Sequence, residues 1–326
     1  MIFITGATGL IGSFVCRELL NKGYRIKALK RKTSDFSLVQ DIQDQISWIE
    51  GDLLHVAEID QYLSDVDKIV HCAAFVSYDR RDEEKMWQIN VEGTANLVNA
   101  ALRAGVYRFL HVSSVASIGK DKMSDLSTEE TQWTEGENKS AYARSKHQAE
   151  LEVWRGWAEG LATVIINPSV VLGPGDWDKS STQIFKYIRE ENRFYTSGIV
   201  NYVDVRDVSA IAVNLLASDI KGERFILNAG SLGYKKLFDT IAEEMGKKPP
   251  AIKVEGGMIK VAILFEKIRS KLSGRPPLVT DELEQVSSNR HTYANSKIKQ
   301  VIDINFTDFK ETIQWCCQQL NGRSAT

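Results

Sequence analysis

Tyr142 and Lys146 stand four residues apart in SAYARSK, a spacing that puts both side chains on one face of a helix. A phenol beside an ammonium has its anionic form favoured, so its pKa is expected to fall from about 10 toward the range of a general acid or base. Such a pair suits proton delivery to a carbonyl oxygen. The same spacing recurs at Tyr293 and Lys297 in YANSK, so at least one pair is structural. Tyr142 opens a helix after the strand VYRFLHVSS and faces the edge where parallel sheets bind ligands, whereas Tyr293 lies well past the regular part of the chain. The first pair is therefore the expected catalytic one. The strand ends in Ser113 and Ser114, and side chains alternate across a strand, so the two serve different purposes. One is open to a substrate oxygen and the other to backbone or packing, while Ser-Ser is also ordinary turn chemistry.

A second constellation lies at residues 2 to 12, IFITGATGLIG, where an apolar strand runs into Gly6, Gly9 and Gly12. A side chain at these positions would block the tight turn, the approach of backbone to a pyrophosphate, or the packing of the next helix on its strand. That helix, carrying Phe14, Val15, Leu19 and Leu20, begins with amides that lack intrahelical partners and attract an anion. The spacing is GxxGxxG, one residue longer between the first pair than the GxGxxG fingerprint. Strand, turn and helix together predict a dinucleotide site. The strand YRIKAL is followed by Lys30, Arg31 and Lys32, where an acid would bind adenosine ribose hydroxyls. With no acid there, Arg31 points to the extra phosphate of NADP, the other reading being a solvated strand end. Asp52 in EGDL suits either contact with adenine or a helix cap.

The elements that position these residues alternate through the first half. MIFIT, a helix to about Asn21, YRIKAL, ISWIEG, DKIVHCAA, a long helix over 84 to 104 and VYRFLHVSS come first. A helix over about 140 to 159 and LATVIINP follow. This order predicts an α/β fold of Rossmann type, a doubly wound parallel sheet with crossover helices. After Pro168 the texture changes, with GPGD at 173 to 176, a polar KSST and a helix near 182 to 191. YVDVRDVSAIAVNLLA and ERFILNA look like a return to the sheet. The expected division is 1–168 plus about 203–228 as the dinucleotide domain, and about 169–202 and 229–326 as a discontinuous, mainly helical substrate lobe punctuated by KKPP and GRPP.

At 326 residues, a large α/β domain with a smaller companion is the natural organisation. With 41 basic and 43 acidic residues the net charge is -2 and no basic tract stands out, which argues against nucleic acid as a partner. Four cysteines at 16, 72, 316 and 317 show no metal-like CxxC spacing, so neither a metal site nor a disulfide framework is expected, and a reduced, cytoplasmic protein is. No apolar run approaches the roughly 18 residues of a membrane span, and a strand starting at residue 2 leaves no room for a targeting peptide.

In combination the chain resembles the extended branch of the short-chain dehydrogenase/reductase superfamily, the NAD-dependent epimerase/dehydratase group, over nearly its whole length. TGATGLIG looks like the cofactor loop, HCAA at 71 to 74 like the strand-four motif, and INVEGTANL at 89 to 97 like the helix carrying a structural asparagine, here Asn90. LHVSSVASIG, YARSK, NPSVVLGPGD and NYVDVRDV follow in the family's order. The resemblance implies Tyr142 as proton donor or acceptor, and Lys146 as the group that lowers its pKa and bonds the nicotinamide ribose. It implies Ser114, five residues before Gly119, as holder of the substrate carbonyl, and Asn90 in ordering a proton-relay helix and water. Cofactor contacts are implied at Gly6, Thr8, Gly9, Leu10, Ile11, Arg31, Asp52, Leu53, Ala73, Ala74 and Val112. Tyr142, Lys146, Asn167, Ser169 and Val170 complete that set. The late YANSK matches a C-terminal family segment, which favours a structural role for Tyr293 and Lys297.

Departures narrow what is implied. Relatives that dehydrate nucleotide sugars carry Asp-Glu after the catalytic Ser or Thr, where Val115 and Ala116 stand here. Asn167 replaces an arginine common before the proline. SSVASIG and ALKRKTSD resemble dihydroflavonol-reductase-like members, which implies NADPH-dependent reduction of a ketone or aldehyde, NAD(H) being the other cofactor. Alternatives are a nucleotide-sugar epimerase with tightly held NAD and a non-catalytic sensor of the dinucleotide pool. Lys179, Lys186, Arg189 and Arg193 suit a solvated helix better than a diphosphate site. A homodimer through the helices at 84–104 and 140–159 is also implied, with Val91, Leu97 and Val98 serving either that interface or the sheet.

Overall fold

Seven strands form one parallel sheet in the order β11-β7-β5-β4-β1-β2-β3, in a computed structural model that describes residues 1–77, 79–121, 124–134, 140–254 and 290–323. The strands are β1 (Ile2–Thr5), β2 (Ile26–Lys30), β3 (Ile46–Glu50), β4 (Lys68–His71), β5 (Arg108–Val112), β7 (Thr163–Pro168) and β11 (Glu223–Leu227). β1 lies between β2 and β4, so the winding reverses at its carboxyl end, where doubly wound sheets bind ligands.

The central strands are apolar on both faces because helices cover both. Ile2, Ile4, Leu110 and Val112 point into one core with α1 (Leu10–Asn21) and α7 (Val205–Ala217), whereas Phe3, Ile69, Phe109 and Ile165 point into the other. That second core is closed by α2 (Val56–Tyr62), α4 (Gly93–Arg103) and α5 (Ala141–Ala158). Leu97 and Val98 are fully buried there and Val91 is buried too, so all three are committed to the chain's own interior. The expected long helix runs from α3 (Glu83–Trp87) through a wide π-helical turn, Gln88–Glu92, into α4. Inserting a π turn rotates the following helix and re-aims the residues at the insertion, and such turns gather at functional sites.

A smaller three-stranded sheet combines β8 (Val170–Leu172), β10 (Ile199–Asp204) and β12 (Gly230–Gly233). Around it α6 (Thr182–Arg189), α8 (Tyr234–Met245) and the helix Phe309–Arg323 enclose a third core built on Phe185, Ile188, Leu237, Ile241 and Cys316. α6 is shorter than the expected 182–191, and Glu191 just beyond it adopts a left-handed φ of 52°. Of the described residues after 229, Ile298 is buried in the core beneath α1 and α7, while Ile313 and Leu320 belong to the third core. GRPP at 274–277 lies outside the described residues. Among the described residues no helix is long and apolar enough to cross a membrane.

Candidate active site

The turn after β1 has the shape its glycines predict. Gly6 sits at φ +71°, where L side chains rarely go, and a Cβ there would come within 2.6 Å of the Ala73 nitrogen at the end of β4. A Cβ on Gly12 would stand 2.1 Å from the Gly6 oxygen, so the helix could not seat on its turn. Gly9 is the N-cap of α1, is exposed, and supplies no side chain to the first-turn amides. Those amides remain open to an anion, with Thr8, Leu10 and Ile11 half-exposed around them. This cradle fits a dinucleotide's diphosphate.

Along the same edge the expected contacts divide. Ala74 is exposed and Ala73 half-buried, its amide held by Thr5 Oγ1 at 3.2 Å. Asp52 caps no helix, since its Oδ1 accepts from Leu54 N at 3.0 Å in a local turn and the N-cap of α2 is His55. Leu53 is buried against the second core. Lys30 pairs with Glu50 at 2.9 Å across the ends of β2 and β3, while Arg31 next to it is exposed, its amide on Ser34 Oγ at 2.9 Å. Val170 pairs with Tyr202 in the small sheet, and the Ser169 hydroxyl is buried without a hydrogen-bond partner among the described residues.

Ser114 and Tyr142 meet. Ser114 extends from β5 as N-cap of the short turn Val115–Ser117, its Oγ accepting from Ala116 N at 3.1 Å and hydrogen-bonding the Tyr142 phenol. Ser113 turns the other way, donating to Ser117 Oγ at 3.2 Å inside the protein. Ser140 caps α5 through Ala143 N at 3.1 Å, which sets Tyr142 in the first turn and Lys146 one turn on. Lys146 is 2% exposed and donates to the Val112 carbonyl at 2.9 Å. Burial brings its pKa down to about 8, with Glu150 and Cys72 opposing that fall. The expected lowering of the Tyr142 pKa is not what this arrangement produces. Desolvation raises it, and the partial offset comes from the Ser114 hydrogen bond, not from the ammonium.

Asn90 occupies the π turn, fully buried. Its Oδ1 accepts from Phe75 N at 2.7 Å, and its Nδ2 donates to Phe75 O and to Ser145 Oγ, each at 2.9 Å. It ties the segment after β4 to α5 between Tyr142 and Lys146. Below it Thr94 Oγ1 donates to Asn90 O at 2.6 Å, so the hydroxyl's 2.8 Å contact with His71 Nε2 uses that ring's proton. His71 Nδ1 then accepts from Thr5 Oγ1 at 2.6 Å, and burial drives the His71 pKa down to about 3.

Asn167, expected among the cofactor contacts, turns its side chain inward. It is fully buried, and the two protons of its Nδ2 are shared among Ser114 O at 3.1 Å, Ser117 Oγ at 3.0 Å and the Glu150 carboxylate. A short amide on this strand reaches inward to the neighbouring turn. Glu150, Ser117 and Arg224 in this cluster are not among the residues the sequence singles out, although Glu150 had a signal: it follows Lys146 by four residues and so shares its helix face. The second Tyr/Lys pair stands apart. Lys297 pairs with Glu223 at 2.6 Å, and burial raises the Tyr293 phenol to about 12. Lys179 and Lys186 pair with Asp176 and Asp178, and the Arg189 guanidinium lies 3.8 Å over Trp177.

Comparison with known proteins agrees with this geometry. Residues 2–230 match the NAD dependent epimerase/dehydratase family. A Synechocystis protein provisionally named dihydroflavonol 4-reductase is 30% identical over 95% of this chain and 92% of its own. Cinnamoyl-CoA reductase 1 of Petunia hybrida is 29% identical over 69% of this chain and 72% of its own. Among solved structures, that of gox2253 superposes with a TM-score of 0.84 at 29% identity, covering 99% of this chain and 98% of the other.

Proposed function

The chain belongs to the NAD dependent epimerase/dehydratase family, and we propose that within it the protein reduces a ketone or aldehyde to an alcohol, or runs the reverse, with Tyr142 as general acid/base. The observation that carries this reading is the Ser114–Tyr142 hydrogen bond at the head of a helix that buries Lys146 one turn later. When bound, a nicotinamide dinucleotide supplies the hydride that the carbonyl carbon gains. The Gly6 to Gly12 turn and the open amides of α1 hold its diphosphate. Ser114 holds the carbonyl oxygen, and Tyr142, kept protonated by its raised pKa, gives that oxygen its proton. Lys146 spends one of its protons on Val112, keeping others for the ribose and for the phenolate that forms.

NADPH is the favoured coenzyme in this reading. No acid stands at the end of β2, Glu50 neutralises Lys30, and exposed Arg31 is left for a 2′-phosphate. A homodimer through α3 and α5 is supported by exposed Trp87, Leu151 and Trp157 on those helices. Four free cysteines support a reducing, cytoplasmic setting. The test is Tyr142→Phe, assayed by NADPH oxidation against a panel of aliphatic and aromatic aldehydes and ketones. The expected result is a loss of kcat of about 100-fold or more with NADPH binding retained. Unchanged turnover removes Tyr142 from the mechanism.

A further inference from the structure

Glu150 lies one helical turn beyond Lys146, and its side chain is 1% exposed. A carboxylate withdrawn from water needs both charge and hydrogen bonds to compensate it. Oε2 faces Arg224 Nη1 at 3.4 Å, and Arg224 is held on its far side by the carbonyl of buried Glu129. Oε1 lies 2.5 Å from Ser117 Oγ and accepts from Asn167 Nδ2. The Ser114 carbonyl oxygen lies by the same two groups, 2.6 Å from Ser117 Oγ, whose one proton serves either this carbonyl or the carboxylate, and 3.1 Å from Asn167 Nδ2. The carboxylate and the backbone of Ser114 are thus clamped by the same two side chains.

We propose that Glu150 is a positioning residue: it holds Ser117 and Asn167 against the Ser114 carbonyl, fixing the turn that presents the Ser114 hydroxyl to Tyr142, and its buried carboxylate, one turn along the same helix face, is the counter-charge to the Lys146 ammonium. The Ser114 half of this rests on the carbonyl-reductase reading, whereas the Lys146 half is read from coenzyme binding alone. Among the described residues four titratable groups interact electrostatically with the ammonium: Glu150 and the Cys72 thiol, which favour its charge, and the neutral imidazoles of His71 and His111, which do not. Glu150 outweighs Cys72 and is the one carboxylate among them.

Glu150→Gln keeps an acceptor oxygen and the volume while removing the charge. NADPH is titrated into native and variant proteins between pH 7 and 10, above the second phosphate pKa of about 6, with tryptophan fluorescence as the readout. In the native protein the affinity falls above about pH 8 as Lys146 loses its proton. In Glu150→Gln that fall moves down by about one pH unit, and in Glu150→Asp it returns toward the native position. A fall at the same pH in Glu150→Gln, or a native affinity flat to pH 10, overturns the proposal. Should Glu150→Gln not fold, Arg224→Gln asks the same question: losing the cation that competes for the carboxylate moves the fall to higher pH, and an unmoved fall overturns the proposal. Ser117→Ala tests the clamp, with kcat for carbonyl reduction at least about tenfold lower and the NADPH pH profile unmoved. A native kcat in Ser117→Ala overturns the clamp. Failure of the native protein to reduce any carbonyl compound defeats the reductase reading, whereas the coenzyme titration still decides whether Glu150 sets the charge of Lys146.

Discussion

The Ser114 hydroxyl hydrogen-bonds the Tyr142 phenol across the gap between the end of β5 and the start of α5, while its Oγ also accepts from Ala116 N at 3.1 Å. That bond offsets part of the rise that burial imposes on the phenol. In Ser114→Ala the Tyr142 pKa rises further and the carbonyl oxygen loses a donor. We expect kcat to fall by about 100-fold, as on removal of one donor to a developing oxyanion, with coenzyme affinity preserved. Steady-state kinetics at pH 7 check this, and a native kcat refutes the role of Ser114.

Asn90 is the pin of the π turn, since it satisfies both backbone groups of Phe75 and the Ser145 hydroxyl. Asn90→Ala leaves the half-buried Phe75 groups without their partner and is expected to cost about 1 kcal/mol of stability. The turn that re-aims α4 also relaxes, so kcat should drop together with the urea midpoint. An unaltered midpoint would show that the turn holds without Asn90.

Arg31 gives a test of coenzyme choice. Arg31→Ala should raise the KM for NADPH by about tenfold or more, the cost of a lost charge-assisted phosphate contact, and leave that for NADH within about twofold. Equal changes for both coenzymes would separate Arg31 from the 2′-phosphate.

His71 and His111 pair in register on β4 and β5 with ring centroids 5.1 Å apart, and both His111 nitrogens are buried without a hydrogen-bond partner among the described residues. Burial depresses both pKa values, that of His71 to about 3. The unfolded chain therefore binds two more protons than the native protein once the pH drops below about 6.5. Their contribution to stability is complete above that value and is lost as the pH falls toward 3. The expected slope through this window is up to about 2.7 kcal/mol per pH unit from these two groups. His111→Leu removes one proton from that difference and a pair of unpaired polar atoms, so it should raise the melting temperature most at pH 5. A melting temperature lowered equally at pH 5 and pH 8 would contradict this.

The sheet, its winding and the glycine turn are legible in the sequence because each rests on local signals: apolar runs such as IFIT, the alternation of strand-like and helix-like segments, and glycines at fixed offsets. Choosing Ser114 over Ser113 needs the family resemblance, since alternation says only that the two face opposite ways; in the structure it is Ser113 that turns inward. The pKa of Tyr142 is not legible, since spacing predicts proximity to an ammonium but not how deeply the phenol is desolvated. The inward turn of Asn167 is hidden for a related reason: its neighbours Ser117 and Glu150 are distant in sequence, and their convergence appears only when β5, α5 and β7 are assembled.

Net carbonyl reduction is tested most directly by coenzyme stoichiometry. NADPH oxidised and alcohol formed are quantified in the same reaction with the native protein and a carbonyl substrate from the panel. The expected outcome is one NADPH consumed per alcohol, with little dinucleotide released when freshly purified protein is denatured. Stoichiometric NAD released on denaturation, with substrate converted and no net change in coenzyme, would contradict a reductase and identify an epimerase.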